Sequence, residues 1–169
     1  RTGIRAGDIF DPFAVENMHD EDKAYLDTLK DKIEPMIIDL ASFMYKNKKK
    51  NILFEGAQGT LLDIDMGTYP YVSSGMSCAA GAAVGGSIGP RDIDHIIGVF
   101  KAYSTRVGNG PFPSEFDSTI EKDLESFVRE TGREYGVTTG RPRRCGYLDL
   151  IALKYACMTN SIDSLALTH

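Results

Sequence analysis

Between Gly56 and Gly110 the chain carries 11 of its 17 glycines. A stretch this rich in residues without a Cβ is not a run of long packed helices; it suits backbone that turns tightly or closely approaches a ligand or another chain. We read it as loop-rich functional territory. Around it, 169 residues with 42% hydrophobic side chains are enough for one packed core. With Asp+Glu 24 against Lys+Arg 19 the net charge is -5, which argues against a dedicated nucleic-acid binder. No apolar run approaches the ~18–20 residues needed to span a bilayer. Three cysteines without C-x-x-C spacing, and no N-terminal segment like a signal peptide, point to a reducing cytoplasm. The chain starts at Arg1 rather than Met and ends in an apolar run, which suggests a piece of a longer protein.

Residues 20–45 place Tyr25, Leu26, Leu29, Ile33, Ile37, Leu40 and Met44 near helical spacing. Pro35 inside that pattern predicts a kink or the first turn of a second helix. The polar run 46–50 then closes the helical region as a solvated basic turn. Residues 51–54 predict a strand, 55–59 a tight turn and 60–63 the start of a helix. Gly89 and Pro90 predict a short helix over 90–95 and a strand over 97–104, with one continuous helix over 90–103 as the alternative. An acidic helix is predicted over 117–130, with Leu124, Phe127 and Val128 facing inward. Another is predicted over 146–160, carrying Leu148, Ile151, Leu153, Ala156 and Met158, and a last strand over 164–167. This alternation is α/β, a largely parallel sheet with flanking helices. With no repeat and no linker, residues 1–169 read as a single incomplete domain, mostly helical over 1–50 and α/β with ligand loops over 51–169.

Residues 135–146 concentrate anion-binding groups: two threonine hydroxyls, glycine-freed N–H donors, and the planar forks of Arg141, Arg143 and Arg144. The alternative is a basic loop ion-paired with the acidic helix before it. The second candidate is Gln58, at the end of a predicted strand in a glycine turn, where open α/β sheets place ligands. Its amide N–H groups could stabilise charge developing on a substrate oxygen, or bond its own turn. The turn is not a Walker loop, having no Lys and the wrong spacing. Asp63 and Asp65 are compatible with Mg²⁺ or with capping the next turn. His19, His95 and His169 have no partner at metal spacing, so ordinary roles are expected. Cys78, Cys145 and Cys157 read as small apolar side chains, with a lowered thiol pKa as an option for Cys145 beside arginines. Hydroxyls around Tyr69, Tyr71 and Ser73 offer phosphate or sugar contacts, or a hydrogen-bonded loop.

Taken together, the ordered blocks FEGAQGTLLDID (54–65), GTYPYV (67–72), KAYSTRVG (101–108), GPFP (110–113) and TTGRPRR (138–144) resemble the adenylosuccinate synthetase family. The resemblance implies a P-loop-NTPase-like ligase fold and a purine-biosynthesis enzyme. Such an enzyme joins IMP and L-aspartate at the expense of GTP, with Mg²⁺, as a homodimer. Gln58 then looks like the catalytic glutamine that contacts the purine 6-oxygen. Ser73 stands where the family usually has a threonine on the IMP phosphate, and Val107 is similar to the residue whose backbone meets the IMP ribose. Val137, Thr138, Thr139, Gly140, Arg141, Pro142 and Arg143 look like the aspartate-binding loop, with Arg141 also reaching the IMP ribose and Arg143 spanning aspartate and GTP. Arg1 is similar to an arginine that crosses the dimer interface to the partner's IMP.

The same resemblance exposes departures. The family's N-terminal glycine-lysine loop, with its catalytic aspartate and following histidine, has no counterpart in these 169 residues. His169 stands where the family usually has the lysine that opens its guanine-recognising run, at the GTP site. The implied expectation is that this stretch alone holds no Mg²⁺ and catalyses nothing, while the intact protein is the ligase. Two readings from other classes stand beside it: a non-catalytic interaction fragment and a GTP-binding switch domain.

Overall fold

A computed structural model describes residues 20–137 and 140–169. The chain divides into two compact units, residues 1–43 and 44–169. In the first, α1 (Asp20–Ile33) opens with Asp20, Glu21 and Asp22 and closes with Lys30 and Lys32, each charge placed favourably on the helix dipole. Pro35 falls in a 3-10 turn, Glu34–Met36, where its missing N–H costs no helical bond. The predicted break is therefore real. α2 (Leu40–Asn47) follows and runs into the second unit.

The second unit begins with the expected basic turn, where Lys48 Nζ lies 4.6 Å from the centroid of the Tyr45 ring. Residues 51–57 then depart from expectation. They form no ladder with any described residue, and Leu53 is 89% exposed. Apolar β-formers make a strand only where a neighbour offers its N–H and C=O groups. Phe54 instead lies on Gly86, where an added Cβ would come within 2.5 Å of the ring. The predicted helix after it is a single 3-10 turn, Thr60–Leu62. α3 (Ala80–Gly85) and a 3-10 turn at Pro90–Asp92 complete the glycine-rich half.

β1 (Ile97–Lys101) and β2 (Tyr103–Arg106) replace the predicted single strand, and the alternative helix is excluded. The chain changes sheet at Ala102. β1 pairs in parallel with β4 (Ser164–Thr168), Val99 opposite Ala166, while β2 pairs antiparallel with β3 (Arg144–Tyr147), Tyr103 opposite Tyr147 and Arg106 opposite Arg144. β3 straddles the end of the 135–146 basic loop and the start of the helix expected over 146–160. α4 (Lys122–Thr131) starts later than expected. The Asp117 carboxylate accepts from the Thr119 backbone N–H and hydroxyl, a local turn that competes with helix. Leu124 and Phe127 are exposed rather than inward. α5 (Leu150–Asn160) starts where the Asp149 side chain accepts from Ala152 N at 2.9 Å, so residues 146–149 fall outside the helix. Among the described residues the buried apolar side chains are Met44, Cys78, Ala83, Phe116 and Cys145, with Phe116 edge-on to Tyr147 at 4.8 Å. Among the described residues no helix is long and apolar enough to cross a membrane.

Candidate functional site

Gln58 sits in the left-handed region (φ 58°) at the head of the Thr60–Leu62 turn. Its side chain is oriented by Ser77, whose Oγ donates to Oε1 at 3.4 Å. The carbonyl end is thereby engaged, and the amide nitrogen has no hydrogen-bond partner among the described residues. Ser73 Oγ lies 3.5 Å from Ser77 Oγ and donates to Leu62 O at 2.9 Å, a carbonyl that also accepts from Ser73 N at 2.8 Å. Gln58, Ser73 and Ser77 therefore share one short polar chain.

Asp63 holds this loop in shape. Only 1% exposed, it accepts through Oδ1 from Asp65 N (2.9 Å) and Met66 N (3.0 Å), and through Oδ2 from Cys78 N (2.8 Å). These backbone donors, Met66 and Cys78 foremost, hold its carboxyl well below the usual range against the opposing effect of burial. Both oxygens are thus filled from within. The carboxylate does what the capping alternative requires, and among the described residues no group of three metal-ligating side chains gathers around it. Asn160 ties the loop to α5, accepting from Ala79 N at 2.7 Å and donating to Thr60 Oγ1 at 3.0 Å.

The arginines divide their labour. Arg106, 9% exposed, donates through Nη2 to Thr68 Oγ1 (3.1 Å) and Tyr71 O (3.2 Å), and through Nε to Asn109 O (3.2 Å). It joins the Gln58 loop to the β2–β3 pair. Across the ladder, Arg144 forks onto both oxygens of Glu115, donates to Gly108 O and Gly110 O, and stacks over Phe112. Its hydrogen bond lowers the Glu115 pKa, and Glu115 raises that of Arg144. Arg143 donates through Nη1 to Glu134 Oε2 at 2.8 Å, its side chain 29% exposed. Glu134, 1% exposed, also accepts at Oε1 from Tyr103 Oη (2.6 Å) and from Lys101 Nζ. Burial pushes its carboxyl up, but Lys101, Tyr103 and Arg143 together pull it below the ordinary value.

Around Arg143 the chain doubles back. Tyr135 bridges Pro142, Gly136 N donates to Arg141 O (2.9 Å), and Gly140, at φ 63°, donates to Gly136 O (2.8 Å). Val137 is 99% and Val107 68% exposed. His169 lies against Tyr103, ring centroids 6.2 Å apart. Arg1, His19, Thr138 and Thr139 lie outside the described residues. The expectation of a lowered thiol at Cys145 is overturned: the side chain is fully buried, and burial pushes its pKa up. His95, with no role assigned, bonds Ser164 Oγ at 2.9 Å. Arg106, Glu134 and Asn160 are not marked by the sequence, since each takes at least one partner more than thirty residues away.

The model of the adenylosuccinate synthetase family matches residues 1–169. The chain belongs to that family. Relatives named adenylosuccinate synthetase include those of Geotalea uraniireducens, 50% identical over 157 residues, and Desulforudis audaxviator, 54% identical over 138 residues. These alignments cover 93% and 80% of this chain and 35% and 31% of the relatives. The chain thus spans about a third of the length of the curated relatives it matches. Among solved structures, the fully ligated adenylosuccinate synthetase from Plasmodium falciparum superposes with a TM-score of 0.79 at 40% identity, over 91% of this chain and 36% of that one. A cyanophage S-2L succinoaminodeoxyadenylate synthetase, 23% identical with a TM-score of 0.62 over 78% of this chain and 39% of that one, shares the fold. The α/β class with a parallel pair and flanking helices agrees with this family's ligase fold.

Proposed function

We propose that the protein containing this chain is a cytoplasmic, homodimeric ligase that joins IMP and L-aspartate to adenylosuccinate, using GTP and Mg²⁺ in purine biosynthesis. The observation that carries this reading is the family match over all 169 residues. In the proposed reaction the γ-phosphoryl group of GTP is transferred to the IMP 6-oxygen, releasing GDP. The aspartate amine then attacks the purine C6 and expels that oxygen as phosphate. Gln58 is the residue in this stretch suited to the first step. Its uncommitted amide N–H groups would donate to the 6-oxygen as negative charge builds there, and a donor fixed in advance contributes most in the transition state.

Ser73 would contact the IMP phosphate by turning its hydroxyl proton away from Leu62 O, which keeps the Ser73 backbone N–H as a donor. The Val107 backbone and Arg141 are assigned to the IMP ribose, and Arg1 to the partner's IMP. Residues 137–143 are assigned to aspartate, with Arg143 and His169 toward GTP. Arg143 Nη2 has no hydrogen-bond partner among the described residues, which leaves it as a charge-assisted donor for a carboxylate, while Nη1 is on Glu134 and Nε is buried. The described residues do not fit Mg²⁺: Asp63 is filled by backbone donors and no three metal-ligating side chains gather.

Product formation by the intact protein with IMP, GTP and aspartate tests the reading. Gln58→Ala should lower kcat by about 10²–10³-fold while KM for IMP moves little. Equal losses in binding and turnover would reject the role of Gln58. GTP hydrolysis that ignores IMP and aspartate would reject the ligase in favour of a switch.

A further inference from the structure

We propose that Glu134 is a positioning residue for aspartate binding: its buried carboxylate fixes the Arg143 guanidinium beside the Tyr135–Pro142 bridge. The proposal rests on the assignment of residues 137–143 to aspartate. Glu134 is among the largest fully buried side chains described. Burying a carboxylate costs several kcal/mol unless partners replace its water, and here they come from separate elements. Lys101 from the end of β1 and Tyr103 from the start of β2 occupy Oε1, and Arg143 occupies Oε2.

Glu134 grips Arg143 twice, because Arg143 N also donates to Glu134 O at 2.9 Å. Arg129 Nε donates to Arg143 O at 3.3 Å. The N–H, the C=O and one guanidinium nitrogen of Arg143 are therefore all held, and Tyr135 and Pro142 close the turn immediately above. One carboxylate faces two cations, so the cluster of Lys101, Arg143 and Glu134 keeps a surplus positive charge. Arg143 Nη2, with no hydrogen-bond partner among the described residues, is the donor left for an anionic ligand. A glutamine at 134 would turn an NH₂ group toward either the Lys101–Tyr103 side or Arg143, meeting donors with a donor.

The test uses the intact protein and four variants, read by steady-state kinetics with aspartate varied at saturating IMP and GTP. Glu134→Gln should raise KM for aspartate about 10–100-fold, the loss expected for a charge-assisted contact. KM for IMP should stay within about threefold, because Gln58 and Ser73 share no hydrogen bond with Glu134. Lys101→Met/Glu134→Gln removes the cation that the first change strands, so it relieves a folding defect yet leaves Arg143 unheld; its KM for aspartate should remain raised. Lys101→Met alone keeps the Glu134–Arg143 pair and should bind aspartate as the parent does. If Arg143→Leu raises KM for aspartate and the folded double variant does not, the positioning role is overturned while the loop assignment survives. If none of these variants moves that KM, the loop assignment fails as well.

Discussion

Asp63→Asn is the sharpest test of how the Gln58 loop is held. In the parent, Oδ1 receives two backbone N–H groups at 2.9 and 3.0 Å and Oδ2 receives a third, from Cys78, at 2.8 Å. An asparagine can satisfy the first pair with its oxygen, but its NH₂ then faces the Cys78 N–H. Flipping the amide strands two donors instead of one, so the cheaper arrangement loses one bond. Leaving a buried donor unsatisfied costs about 1–3 kcal/mol, which is roughly 5- to 150-fold in a local opening equilibrium. Hydrogen exchange on the intact protein reads this locally. Peptides spanning 60–80 should exchange faster by that factor in Asp63→Asn, while α4 serves as the unaffected reference. The carboxyl is held below the usual range in the folded state, so its contribution is present above the unfolded pKa and lost as pH falls through the folded one. The variant should lack that part of acid destabilisation. Exchange within twofold of the parent, or protection that rises with Mg²⁺ in the parent alone, would refute the capping role.

Tyr103→Phe should cost about 0.5–1.5 kcal/mol near neutral pH through the lost bond to Glu134. Burial, then Glu134, pushes the Tyr103 hydroxyl from 10.0 up to about 12, so the folded state keeps the proton longer. The parent's stability should fall as pH rises from 10 through 12 by an amount absent from the Phe variant, checked by urea midpoints across that window. Gly146→Ala would set a Cβ 2.2 Å from Ser114 O and 2.7 Å from Glu115 Cα. Because both obstacles are backbone, the β2–β3 pair must shift at a cost of about 1–3 kcal/mol. Gly85→Ala is the control: its Cβ meets nothing within 4 Å, and it should be neutral or stabilise by about 0.5–1 kcal/mol.

The legible parts of the fold are those with local causes. Pro35 and Pro90 mark their turns because a missing N–H constrains the chain at that residue whatever surrounds it. Residues 164–167 read as a strand and are one. Residues 51–54 have the same apolar character and are not, since no described segment offers them a ladder. β3 is the reverse case. Arg144, Cys145, Gly146 and Tyr147 show no alternation that marks a strand, and they become one through β2 and the Glu115 bridge to Gly146. Asp117 likewise delays α4 by bonding its own neighbours, a competition that apolar spacing does not register.

At the site, the same distinction separates residue types from residue states. A glycine-flanked glutamine is visible as a candidate donor, but its presentation depends on Ser77, 19 positions away. Three arginines within four residues invite two readings, anion binding or ion pairing, and composition assigns one reading to all. The partners assign them individually. Arg144 is spent on both oxygens of Glu115 and on two carbonyls. Arg143 gives only Nη1, to a carboxylate already shared with Lys101 and Tyr103. An arginine whose fork is filled adds rigidity, whereas one that is held by half its fork is oriented and still has a donor to offer. Of these two, Arg143 is therefore the better placed to bind a carboxylate, and the choice was made by Glu115 and Glu134, neither of which belongs to the helix expected to supply the ion pairs.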